Sequence, residues 1–348
     1  GQDDESRTLR YTLGAQSPEQ KNEIGSTFTF TESNIKIQRP PVRLTLSHEG
    51  NKDTLQVVES GEQLRFMIAY ANNMPSKIID ANLVVEFGGQ AYDRKEVYSK
   101  SGYYRSSTDS ITWSSSDIST LRSVDVGANG VFEFEIDSLT AQQMAGLLQN
   151  PEILITARLT GTSFEEVGGK EQKISSTVTK RIKVTSDAAL ENKLLYSIGP
   201  IENQGPMQPT VGRLTTYTAH WKLYNSTSEL SDTEVRAVLP QYVTFRNVFV
   251  PENSSISFNS RTREIIWQPG TIAPGAGYTA PAKEIYFGIA FEPSLDQVGY
   301  SPTLMEAPRV TATDTFAEKN ITSQSARATT QLKSDPDYSS FTTDVIEE

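Results

Sequence analysis

Cysteine is absent from the 348 residues, and histidine occurs only as His48 and His220. The first absence excludes disulfides, thiolate metal sites and a cysteine nucleophile. The second leaves little for hydrolytic triads or zinc sites, which draw on histidine. No run is apolar for long enough to span a bilayer as a helix. No signal-peptide core stands at the start. Positive charge is in deficit: 32 Lys and Arg face 43 Asp and Glu, a net charge of −11. That balance argues against nucleic acid or an anionic membrane surface as a partner, because both would repel it. The acidic pairs Asp3-Asp4, Glu165-Glu166 and Glu347-Glu348 lack the alternating spacing of a calcium loop. Carboxylates are plentiful, but no feature selects the spaced pair that glycoside hydrolysis requires. No catalytic, cofactor-binding or metal-binding residue is therefore assigned, and the chain reads as non-enzymatic with no cofactor.

What is present is alternation. "GVFEFEID" places Phe132, Phe134 and Ile136 on one side and Glu133, Glu135 and Asp137 on the other. "EIYFGIAFEP" repeats the pattern with Ile285, Phe287, Ile289 and Phe291, and "TTYTAHWKLYN" with Tyr217, Ala219, Trp221 and Leu223. A period of two between Gly, Pro, Asn and Ser clusters predicts half-buried antiparallel strands, and their close recurrence predicts β-sandwiches. One stretch differs. "SLTAQQMAGLLQNP" spaces Leu139, Met144, Leu147 and Leu148 for a helix, with Ser138 or Thr140 as cap and Asn150-Pro151 as stop. It predicts one short inserted helix near 139–149.

The strands recur as a repeat. Gly61 and Gly212 open matching strands 151 residues apart, Trp113 and Trp267 stand 154 apart, and Phe132 and Phe287 155 apart. Ile155 and Val310 continue the series. A conserved order with a drifting offset is what loop insertions do to a duplicated fold. "TLRYTLGAQ" (8–16) matches "LITARLTGT" (154–162), and "SNIKIQRPP" (33–41) matches "KRIKVTSD" (180–187). The expected organisation is therefore four parts. Residues 1–38 are the last strands of a preceding repeat. Residues 39–187 form a divergent sandwich with the helical insertion, and 188–335 a second sandwich. Residues 336–348 are a mobile acidic tail.

The second copy carries Gly212, Asn225, Leu239-Pro240, Val243, Trp267, Gly270, Ile272, Pro274-Gly275, Val310, Ala312 and Asp314. The first keeps Gly61, Asn72 or Asn73, Trp113 and Ala157 but has Phe87-Gly88 in place of Leu-Pro and no Pro-Gly turn. This pattern, over roughly residues 39–335, resembles the Ig-like repeats of bacterial cell-surface proteins of the cell-adhesion-related type, most like multi-repeat surface proteins of candidate-phylum bacteria. The resemblance implies tandem Ig-like domains outside the cell, with upstream repeats and a membrane anchor elsewhere in the full-length protein. It implies no ligand and no reaction.

Each conspicuous residue has two readings. Trp113 and Trp267 each follow an isoleucine by two positions, at matching places in the two copies. Core packing is the expected role, with Phe132, Phe287, Tyr217 and Trp221 beside them; a carbohydrate platform is the alternative. Tyr103, Tyr104 and Arg105 form a polar loop rich in the residue types that anchor recognition surfaces, and are the candidate contact loop. The same rings would serve equally by leaning back on a sheet. His220, on the polar phase of its strand, reads as solvated. The junction around 183–193 offers Asp187 and Glu191 for an interdomain cation, and a Lys–Asn crosslink would stiffen a cysteine-free module. The functional expectation is an extracellular structural or adhesive module whose partner is a protein or a cell-surface glycan. A carbohydrate-binding module is the alternative. The fragment itself inserts in no membrane.

Overall fold

A computed structural model describes residues 6–18, 23–36, 40–164, 169–340 and 343–347. The chain is all-β, built as an antiparallel hairpin followed by two β-sandwiches. The hairpin pairs β1 (Ser6–Gln16) with β2 (Ile24–Lys36).

In the first sandwich one sheet runs β3 (Val42–His48), β5 (Gln63–Asn72), β11 (Asn129–Ser138), β7 (Tyr92–Ser99). The facing sheet runs β4 (Leu55–Val58), β13 (Glu171–Val184), β12 (Glu152–Phe164), β6 (Ile78–Gly89), β9 (Ser110–Trp113), β8 (Tyr103–Arg105). A short β10 (Ser123–Val124) also pairs with β6. In the second sandwich one sheet runs β14 (Ala188–Leu195), β15 (Thr215–Asn225), β20 (Lys283–Phe291), β17 (Val243–Val250). Opposite it lie β18 (Ile256–Asn259), β19 (Glu264–Trp267), β16 (Leu230–Val238), β22 (Arg309–Asp314), β23 (Lys319–Gln324). A small pair, β21 (Thr303–Met305) with β24 (Ala328–Thr329), completes it.

Among the described residues, nine strands recur in the same chain order and the same sheet order in both units. Register fixes the equivalences. Trp113 stands opposite Leu83, and Leu83 opposite Leu159. Trp267 stands opposite Val235, and Val235 opposite Val310. Val310 is thus the counterpart of Leu159 rather than of Ile155. The period-two pattern hides this four-residue slip, because an even shift leaves every side chain on its own face. Each unit has a separate core, one drawn from Val42 to Val184 and the other from Ala188 to Val345. Aromatic rings bridge the sheets: Trp113 meets Phe132 at 5.3 Å, and Trp221 meets Trp267 at 6.3 Å.

The inserted helix is shorter than its spacing predicts. It is a single turn, α2 (Ala141–Met144), closed by a capping box in which Thr140 and Gln143 bond each other's backbone N–H. Ala145 already leaves helical geometry and Gly146 takes φ +71°, so the apolar spacing beyond it belongs to a loop that leaves Leu147 exposed. A second single turn, α1 (Ser119–Arg122), has no such periodic signal.

The expectation of a mobile tail is corrected for its described residues. Val345 and Ile346 make parallel bridges to Val298 and Thr210, and the Val345 side chain is buried in the second core. Acidic neighbours masked one valine whose burial stabilises the contact by about 1.5–3 kcal/mol. The 336–340 stretch leads into it from Asp335, whose carboxylate bonds the backbone of Tyr196 and Ser197.

Candidate functional site

The tryptophans lie inside. Trp113 and Trp221 are fully buried and Trp267 is 3% exposed. Two of the indoles are also satisfied: Trp113 Nε1 donates to Ser101 Oγ at 3.2 Å and Trp221 Nε1 to Asn192 Oδ1 at 3.0 Å. Phe132, Phe287 and Tyr217 are buried with them. None of these rings forms a platform facing solvent.

Tyr103, Tyr104 and Arg105 are not loop residues. They form β8, the outer strand beside β9. Tyr103 and Arg105 face solvent, while Tyr104 turns inward. Its ring meets Phe87 edge-on at 6.3 Å and its hydroxyl donates to Asp109 Oδ1 at 3.2 Å. Asp109 also accepts from Arg94 Nε at 2.9 Å. Burial pushes the Tyr104 phenol up, and its bond to Asp109 adds to the rise. The group is a clamp on a strand corner, and it leaves two exposed side chains on one edge. His220 is likewise engaged rather than freely solvated. It stacks on Tyr286 at 4.1 Å and its Nε2 lies 3.0 Å from Glu284 Oε2. Among the described residues no three His, Cys, Asp or Glu side chains gather as a metal set. Lys180, the buried lysine among the described residues, donates to the main-chain carbonyls of Asn51 at 3.1 Å and Asp53 at 2.6 Å, with no asparagine side chain as partner.

The densest buried polar chemistry sits between the sandwiches. β14 begins at Ala188, so the connection is Thr185, Ser186 and Asp187 alone, shorter than the 186–193 segment that composition suggests. Ser186 is fully buried. Its N–H donates to Asp314 Oδ2 at 2.7 Å, and its hydroxyl donates to Asn225 Oδ1 at 2.7 Å. Ser186 Oγ itself accepts from Thr227 N at 2.9 Å and Ser228 N at 3.2 Å. Asp187 N donates to Ser226 Oγ at 2.8 Å. Asp314 in turn accepts from the N–H groups of Phe316 and Ala317, at 2.9 and 3.0 Å, so its buried carboxylate meets three backbone donors. Such charge-assisted bonds are about twice as strong as neutral ones and fix the tight turn after β22.

That turn touches the first sandwich. Lys183 Nζ donates to Phe316 O at 2.6 Å and lies 4.7 Å from the centre of the Phe316 ring. Lys319 Nζ pairs with Glu59 at 3.2 Å, and Ser60 Oγ donates to Asp187 Oδ2 at 2.8 Å. On the other flank, the loop after α2 meets the Pro274-Gly275 turn. That turn is closed by Ala276 N donating to Ala273 O at 3.3 Å, with Gly275 at φ +71°. Gly146 N donates to Ser226 O at 3.5 Å, and a Cβ at Gly146 would stand 2.5 Å from Thr279. The expected cation ligands have other partners: Asp187 holds Ser60, and Glu191 pairs with Lys193 at 2.5 Å, a bond that holds its carboxyl below the usual range.

Sequence reasoning singled out neither Ser186 nor Lys183. Asp314 and Asn225 were visible as pattern positions, and the Ser226-Thr227-Ser228 run directly after Asn225 was the available signal. Asn225 is one of a pair: its amide donates to the carbonyls of Ser228, Ile272 and Ala273, as Asn72 donates to those of Ser76, Val124 and Asp125. The asparagine that ends each alternating strand is thus a corner brace. Asn225 is itself fully buried.

No family model and no curated protein matches the chain. Solved structures that share β-rich architecture do. The C-terminal domain of the Streptococcus pyogenes antigen I/II-family protein AspA matches at 10% identity and TM-score 0.30, over 83% of this chain and 99% of that one. The Streptococcus agalactiae AgI/II polypeptide BspA C-terminal domain matches at 10% identity and TM-score 0.27, over 81% and 97%. The seventh ScaB type I cohesin from Pseudobacteroides cellulosolvens matches at 13% identity and TM-score 0.25, over 46% of this chain and 97% of that one. At these scores the likenesses carry no functional argument, and the functional reading rests on the chain's own geometry.

Proposed function

We propose that this chain is a non-enzymatic extracellular module of a bacterial surface protein, a stiff stalk that also presents edges and loops to protein partners. The observation that carries the reading is the buried connection. A three-residue linker whose central serine makes hydrogen bonds to Asp314, Asn225, Thr227 and Ser228 has little freedom to bend. Inter-domain interfaces in one chain ordinarily permit relative motion unless they are large and hydrophobic, so the restraint here has to come from polar pairing. Here, buried donors and acceptors must stay paired, because leaving one unpaired costs about 1–3 kcal/mol. A rod made of such joints holds its far end at a set distance and angle. Partners would be met on exposed edge strands, which offer unpaired main-chain groups. β8, with Tyr103 and Arg105 outward, is one such edge. The glycan-platform alternative loses its residues, since the three tryptophans are interior.

Small-angle scattering of the chain tests the stiffness. One fixed arrangement of the two sandwiches should fit the wild-type curve, and Asp314→Ala should broaden the distribution of maximum dimensions while both sandwiches stay folded by circular dichroism. A wild-type curve that needs an ensemble of bend angles would remove the stalk reading.

A further inference from the structure

The β1–β2 hairpin leaves apolar side chains exposed on both faces, with Phe28 (71%) and Phe30 (56%) on the outer one. On the outer face, Arg10 pairs with Glu32 at 2.6 Å and lies 4.7 Å from the centre of the Phe30 ring. Directly opposed residues share a face, so Leu9, Tyr11, Leu13 and Ile35 lie together on the other side. They are 40%, 59%, 64% and 45% exposed. Four apolar side chains in one exposed stripe, on a hairpin with no second layer among the described residues, cannot make a core alone.

The register says what kind of layer is missing. In the hairpin Leu9 opposes Ser33, Tyr11 opposes Thr31 and Leu13 opposes Thr29. In the first sandwich Ile155 opposes Lys180, Ala157 opposes Val178 and Leu159 opposes Ser176. The sequence match between 8–16 and 154–162, and between 33–41 and 180–187, superposes these pairs one on one. Arg7 with Ile35 likewise matches Ile153 with Ile182. From Arg7 to Leu13 the hairpin therefore keeps the register of β12–β13, and bulges after Leu13 and Ala15 have no counterpart there. The counterparts Ile155, Ala157, Leu159 and Ile182 are 0%, 0%, 1% and 0% exposed, because β6 lines the free edge of β12 and a second sheet covers its face. The exit from the hairpin matches as well. Val42 follows Ile35 by seven residues and Ala188 follows Ile182 by six, and each opens a strand opposite its corner asparagine, Asn72 or Asn225.

We infer that the hairpin is the closing pair of a third sandwich of the same plan, whose first seven strands precede it in the same polypeptide. The inner stripe takes the apolar face of that sheet pair, and the free edge of β1 takes a strand equivalent to β6. Covalent order favours this occupant over a separate chain. In both complete units the closing pair follows its own seven strands and leads directly into the next unit or into that unit's final segment. The inference stands on register and exposure, and holds whether or not the joint between the two complete sandwiches is stiff.

The absence of native cysteine makes the test direct. Tyr11→Cys reports the inner face and Thr12→Cys the outer face, whose counterpart Arg158 stays exposed in the complete sandwich. Maleimide labelling is timed in the 348-residue chain and in the protein carrying its natural N-terminal continuation. Both thiols should react quickly in the shorter chain. In the longer protein Tyr11→Cys should slow by at least about tenfold, as a protected core position that reacts only through opening does, while Thr12→Cys keeps its rate. Equal rates in the longer protein would overturn the inference, as would a continuation without seven alternating segments. Concentration-dependent protection of Tyr11→Cys in the 348-residue chain would assign the stripe to a second copy and overturn it too.

Discussion

At the scale of the residue, burial decides function. Trp267 sits between Val235 and Ile256 in its sheet and reaches across to Trp221. Truncating a large buried ring costs about 3–5 kcal/mol. Trp267→Ala should therefore destabilise the second sandwich by that amount and lower its melting transition in scanning calorimetry, with the separate first core retained. Asp335 is a second decisive side chain. Burial alone would raise its carboxyl, but bonds from the Ser197 hydroxyl and from the N–H groups of Tyr196, Ser197 and Asp337 outweigh that and hold it below the ordinary value of 3.8. A lowered folded value means the charged form stabilises the fold. That contribution is complete above the unfolded value and is lost as pH falls through the folded one. Asp335→Asn should cost about 1.5–3 kcal/mol at neutral pH and flatten the acid limb of stability, measured by urea unfolding across pH. The tryptophan pair was legible because a repeated Ile-x-Trp spacing reports a repeated position. Asp335 was not, since one aspartate in a Ser-Asp-Pro-Asp run has no period and its donors lie near residue 196.

At the scale of the element, alternation carried the strands and missed what ends them. β11, β15 and β20 follow their apolar phase closely, because one face of each meets a core. The α2 spacing overstated its helix: Gly146 turns the chain, and Leu147 is left outside. β8 was hidden for a different reason. Its polar tyrosines and arginine read as a loop, yet an edge strand needs only one buried neighbour, and Tyr104 supplies it through Phe87. The tail was misread because composition averages over residues, whereas one buried Val345 is enough to dock a strand. The four-residue slip of Val310 was not legible, because parity survives it.

At the scale of the whole molecule, the two sandwiches are joined by chemistry that sequence periodicity cannot show. Ser186, Asp314 and the 226–228 run lie far apart in the chain and meet only when the second unit is folded. Lys183 and Lys319 then reach across from opposite sides of the joint. The central claim is that this joint has one angle. The cysteine-free chain allows a clean spin-label pair, with Tyr98→Cys in the first sandwich and Tyr300→Cys in the second, both at well-exposed sites. Pulsed electron–electron double resonance between them should give a single distance peak as narrow as that of a pair placed within one sandwich. A broad or multimodal distribution would contradict the account.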